Sequence, residues 1–72
     1  MFREKVYYEV YEKEKDIWHC IDKDDIEEVY HVIMDITGDH DAATSAEAWC
    51  DLASIGEIYD HEKFSVEITL DD

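Results

Sequence analysis

Between Phe64 and Leu70 apolar and polar residues alternate at every step. Phe64, Val66, Ile68 and Leu70 fall on one side, and Ser65, Glu67 and Thr69 on the other. Strand side chains point to opposite faces in turn, so this pattern buries its apolar half only as a strand with one covered face. A chain containing such a strand must also supply a cover for that face and partners for its backbone. Residues 2–12 alternate in the same way, with Val6, Tyr8 and Val10 opposite Tyr7, Glu9 and Tyr11. Residues 17–21, Ile-Trp-His-Cys-Ile, place Ile17, His19 and Ile21 opposite Trp18 and Cys20. The short polar connector at 12–16 joins these two segments as an antiparallel hairpin.

The cover is helical. Over 25–37, Ile26, Val29, Tyr30, Ile33 and Ile36 follow the spacing of one apolar helix face. Asp24 is placed to cap this helix, Glu27 completes a capping-box-like pair, and Gly38 is a natural stop. Asp24, Glu28, His31 and Asp35 fall on the opposite, outward face. A second helix follows, with Asp41 or Thr44 as its cap. Its stripe of Ala42, Ala46, Trp49, Leu52, Ala53, Gly56 and Tyr59 predicts a helix running through Gly56 to about Tyr59. A rival reading ends it at Gly56 and opens a hairpin at Glu57.

The predicted fold is therefore a single small α+β domain over residues 1–72, in the order β-β-α-α-β. A three-stranded, mostly antiparallel sheet carries two helices packed on one face. An apolar content of 46% suffices for a small core. No apolar run suits a signal peptide or a membrane span, so a cytoplasmic location with reduced thiols is expected. Cys20 and Cys50, each beside a tryptophan, read as small core residues.

Charge narrows the function. Twenty-one acids stand against six Lys and Arg, a formal charge of −15. Direct binding to nucleic acid or to an anionic membrane needs a basic footprint and is excluded as the main activity. The excess is uneven: residues 1–23 sum to −1 and residues 24–72 to −14. Spread over half of a surface of about 4,600 Å², the latter amounts to about one charge per 160 Å². Duplex DNA carries about one phosphate per 110 Å² of its cylinder. A basic nucleic-acid channel would accept such a face electrostatically.

Catalytic and metal-binding patterns do not form. Asp35, Thr37, Asp39 and Asp41 start like a calcium loop, but His40 stands where glycine is required and Ala46 where the bidentate Glu belongs. The segment reads as a solvated helix–helix loop. His19, His31, His40 and His61 have no zinc spacing with the two cysteines. No nucleophile–base arrangement and no glycine-rich phosphate loop is present. The expectation is a protein without enzymatic activity, cofactor or metal.

In size, acidity and lack of catalytic motifs, the whole chain resembles the small acidic single-domain inhibitors of phages and mobile elements: anti-CRISPR proteins, anti-restriction proteins and inhibitors of DNA-repair enzymes. The resemblance implies a partner with a basic nucleic-acid-binding surface, such as a CRISPR effector or a restriction enzyme, blocked by nucleic-acid mimicry. Asp24, Asp25, Glu27, Glu28, Asp35, Asp39, Asp41, Glu47 and Asp51 would supply the charge. A different class of function also fits. In an adaptor or protein-interaction domain the acidity would serve only solubility, and Tyr7, Tyr11 and Trp18 on the outer sheet face would make the contact.

Fifteen excess charges on a radius of about 11 Å lie about a Debye length apart at physiological salt. Self-repulsion therefore opposes folding. Raising NaCl from about 20 mM to about 500 mM shrinks the Debye length from about 20 Å to below 5 Å, and the melting temperature is expected to rise. A melting curve indifferent to salt would overturn this.

Overall fold

The structure, a computed structural model, describes residues 5–71; the expected strand residues 2–4 lie outside them. Strand β1 spans Lys5–Glu12 and β2 spans Ile17–Asp22. A 3-10 turn at Lys23–Asp25 leads into helix α1, Ile26–Thr37, and then α2, His40–Leu52. A short β3, Ile58–Asp60, and a long β4, Phe64–Asp71, complete the chain. The sheet has the order β2-β1-β4-β3, antiparallel throughout.

The expected α+β layering is present, but the sheet has four strands rather than three. The difference lies between Leu52 and Phe64. Helix α2 stops at Leu52 and its C-cap, Ala53, is already extended at φ −81° and ψ 158°. The Ser54 N–H is taken by the Glu57 carboxylate at 2.9 Å. Gly56 then adopts φ +93°, a conformation L side chains rarely reach, and its N–H donates to the Ile68 carbonyl at 2.9 Å. Gly56 is thus a turn residue with open space around it, not a close-packing position inside a helix. Leu52, read as part of the helix stripe, stands 86% exposed. Tyr59 reaches the core from β3, opposite Val66, which is why its position mimicked a helical repeat.

The inward phase of β1 and β4 builds the core as the alternation requires. Tyr8, Val10, Phe64, Val66 and Ile68 are buried, with Ile21 from β2. Val29 and Ile33 of α1 and Ala42, Ala43, Ala46 and Cys50 of α2 close over them. Small residues let α2 lie near α1, while the α1 side chains fill the space above the sheet. An aromatic wedge of Trp49, Tyr59, Phe64 and His61 seals one end, with His61 stacked on Phe64 at 4.5 Å.

The helix ends differ from the expected caps. Asp22 caps the 3-10 turn, accepting from the Asp24 N–H at 2.9 Å, so the chain turns one step before Asp24. Asp39, not Asp41 or Thr44, caps α2, accepting from the N–H groups of Asp41 and Ala42. Helix α2 begins two residues after Gly38, whose φ of +67° ends α1 and whose N–H returns to the Met34 carbonyl. The β1–β2 loop closes with Asp16 in the left-handed region at φ 56°, which Asp tolerates better than most residues. The Tyr11 hydroxyl donates to its carboxylate.

Phe64 is fully buried at the junction of both layers. Phe64→Ala is expected to cost about 3–5 kcal/mol, a large part of the stability of a domain this small. Leu52→Ala is expected to change stability by no more than about 0.5 kcal/mol. Urea denaturation of the two variants separates this architecture from one in which α2 continues to Tyr59 with Leu52 in its buried stripe.

Candidate functional site

Two surfaces divide the chemically interesting residues. The first is the solvent side of the helical layer. On α1, Glu27, Glu28, His31 and Asp35 are exposed; on α2, Asp41 and Asp51 are exposed and Glu47 is half-buried. Asp24, Asp25, Glu27 and Glu28 line one shallow groove where α1 begins. Glu28 and Asp35 are two turns apart on one face of the helix, a rise of about 10 Å. Asp39 and Asp41 lie at the helix junction, where the Asp39 carboxylate is engaged as the α2 cap. His40 is engaged too: its Nδ1 lies 2.6 Å from the Tyr30 hydroxyl. Among the described residues no group of three or more His, Cys, Asp or Glu side chains is placed to hold a metal ion.

The electrostatics of this layer are one-sided. Neither α1 nor α2 contains a Lys or Arg. The ion pairs among the described residues lie elsewhere: Lys13 with Asp60 at 2.8 Å and Lys15 with Glu12 at 3.7 Å, with the His19 ring 3.6 Å from the same Glu12 carboxylate. Among the described residues the acids of α1 and α2 therefore have no ion-pair partner. Asp35 and Asp51 also sit in the last turns of their helices, where the macrodipole disfavours a negative charge by about 0.3–1 kcal/mol each.

The second surface is the outer face of the sheet, on the far side from both helices. The strand phase brings Tyr7, Glu9 and Tyr11 of β1 to this face. Their register partners are Asp22, Cys20 and Trp18 on β2, and Thr69, Glu67 and Ser65 on β4. Trp18 is 57% exposed and its ring lies 4.6 Å from that of Tyr11. The acidic candidates and the two tyrosines thus occupy opposite sides of the molecule and do not form one site. Tyr11 has its hydroxyl pKa raised, first by the hydrogen bond it donates to Asp16.

The cysteines separate in the same way, correcting their joint assignment to the core. Cys50 is buried under α2 and burial pushes its thiol up to about 12. Cys20 is exposed on the outer sheet face, because its strand phase is that of Trp18. Sequence reasoning also missed a cleft of about 440 Å³ between the start of α1 and the end of α2, lined by Val6, Tyr8, Ile26, Ile55 and Ile68 together with the charged Lys23 and Asp51. Ile55 enters it only because the chain turns at Gly56. The buried Tyr8 hydroxyl, its pKa raised mainly by desolvation, donates to the Cys50 carbonyl at 3.4 Å nearby. Glu12 was also missed. It continues the inward phase of Val6, Tyr8 and Val10 and is buried beside His19, a position the alternation itself indicated.

No known protein family, curated protein or solved structure matches this chain. No helix among the described residues is long and apolar enough to cross a membrane.

Thiol chemistry reports these positions directly. Iodoacetamide at about pH 8, near the ordinary thiol pKa, is expected to modify the folded protein once, at Cys20. Cys50 should react only after unfolding, because its thiolate is suppressed by burial. Equal labelling of both in the native state would contradict the placement of Cys50.

Proposed function

We propose that this protein is a non-enzymatic inhibitor whose acidic helical layer covers the basic nucleic-acid-binding surface of a partner protein in the same cytoplasmic compartment. A CRISPR effector or a restriction enzyme is the kind of partner its size and charge suggest. The observation that carries this reading is the absence of any Lys or Arg from α1 and α2, whose acids form no ion pair among the described residues. A mixed-charge surface gives solubility at lower cost to folding. Acids held at helix C-termini, against the macrodipole, are what a surface shaped for binding retains when stability would discard them.

Binding would proceed by long-range attraction followed by short-range docking. Uncompensated charge on one side steers a basic partner and raises the association rate, with strong dependence on salt. Asp24, Asp25, Glu27 and Glu28 line one groove where α1 begins, with Lys23 beside them. Asp35, Glu47 and Asp51 extend it along the helices, and Asp39 and Asp41 add charge at the junction. The fold contributes rigidity: Tyr30, about two turns before the end of α1, and His40, at the start of α2, join the two helices, so the carboxylates are presented in fixed relative positions.

The test is competition. The protein is expected to bind the nucleic-acid-free partner and to be displaced by that partner's own DNA or RNA. Glu28→Lys with Asp35→Lys should weaken binding at least about tenfold at low salt. Asp35→Lys alone should raise the melting temperature by about 5 °C, because a cation then meets the helix C-terminus. Loss of binding alongside a gain in stability distinguishes a contact role from a structural one. Simultaneous binding of protein and nucleic acid, with no effect of the double reversal, would overturn the reading.

A further inference from the structure

The outer face of the sheet is covered by neither helix, and its centre carries an unfavourable arrangement. Glu9 and Glu67 are directly opposite one another on β1 and β4, with Cβ atoms about 5 Å apart. Like charges in that position oppose strand pairing. Both residues are half-buried, so water screens them incompletely. Neither forms an ion pair among the described residues: Lys5, on the same face of β1, is four residues or about 13 Å from Glu9 along the strand, and Lys13 and Lys15 at the hairpin end are held by Asp60 and Glu12.

Beside this carboxylate pair is an aromatic platform. Tyr11 follows Glu9 by two residues on the same face, a separation of about 7 Å. The Tyr11 ring packs on Trp18 at 4.6 Å with a tilt of 34°, and the Tyr11 hydroxyl is tied to Asp16. The platform is therefore rigid while Trp18 remains 57% exposed. Ile58, opposite Glu67 on β3, adds an apolar side chain that is 60% exposed.

We propose that this face docks an arginine-bearing segment of a partner protein, with a guanidinium seated between Glu9 and Glu67 and against the Tyr11–Trp18 rings. Guanidinium chemistry fits both halves of the surface. Its planar fork donates to two carboxylates, and its face stacks on an aromatic ring within about 6 Å. A lysine ammonium offers a point charge and no stacking plane. Nucleic acid is excluded by the sign of the charge. A second copy of this chain is disfavoured because it would bring −15 against −15. This site is independent of the acidic helical layer, which faces the opposite way.

The experiment titrates two short peptides, acetyl-Gly-Arg-Gly-Arg-Gly-amide and its lysine counterpart, into the isotope-labelled protein while amide and indole resonances are followed. The arginine peptide is expected to shift Tyr7, Glu9, Tyr11, Cys20, Glu67 and the Trp18 indole N–H, and to bind there at least about threefold more tightly than the lysine peptide. Trp18→Ala should weaken it about tenfold. Glu9→Gln with Glu67→Gln should abolish the shifts while raising the melting temperature, since the repulsion is removed; that rise shows the variant is folded. Glu28→Gln with Asp35→Gln removes the same charge from the helical layer and should change the affinity less than about twofold. Equal affinity for both peptides, shifts confined to α1 and α2, or full binding by the Glu9/Glu67 variant would each overturn the proposal. The helical-layer variant separates its failure from failure of the inhibitor reading.

Discussion

The pairing of β1 with β4 is the contact on which the rest of the structure depends. It runs from Lys5 opposite Asp71 to Glu12 opposite Phe64, through the centre of the sheet. Both hairpins hang from it: β2 pairs only with β1, and β3 only with β4. Its inward side chains are the floor on which both helices rest. Segments distant in sequence must therefore meet before the core exists, an ordering cost that local helix formation cannot replace. The two loops at one end reinforce it, the Lys13 N–H donating to the Lys63 carbonyl and the Lys13 ammonium holding Asp60.

Charge is arranged unevenly around that floor. The described ion pairs collect at the hairpin end of the sheet, where Lys13 and Lys15 meet Asp60 and Glu12. Helices α1 and α2 carry acids and no Lys or Arg, while the turn leading into α1 places Lys23 beside Asp24 and Asp25. Burial of Phe64, Ile33, Val10, Val29 and Val66 must offset both chain entropy and this self-repulsion. A small domain has little stability to spare, so unpaired charge at helix C-termini and a carboxylate pair across two central strands are costly features. Both surfaces proposed for binding are places where local preference and observed residue disagree.

Much of the architecture was legible because its signals were periodic. The strands at 64–70 and 6–12 show their buried faces by alternation, and α1 shows its own by the spacing of Val29 and Ile33. The region from Leu52 to Phe64 was not legible in the same way. Ala53, Gly56 and Tyr59 fall at helical intervals, yet Gly56 turns the chain and Tyr59 enters the core from a strand of only three residues. A strand that short has no periodicity of its own and forms because β4 offers a free edge. The acidic candidates were legible as a group, since every one named on the helical layer lies there. Their division from Tyr7 and Tyr11 followed from strand phase. The exposure of Cys20 also followed from it, although the neighbouring tryptophan suggested a buried thiol.

The sequence by itself determined which faces are apolar, how many long elements there are and where the negative charge accumulates, because period and composition are local properties of the chain. Tertiary structure decided what those faces meet. It set Glu9 against Glu67, packed Tyr11 against Trp18 and opened the cleft beside Ile55. Each of these depends on register between strands or on a turn at one glycine, and neither is encoded in the spacing of residues along a single segment.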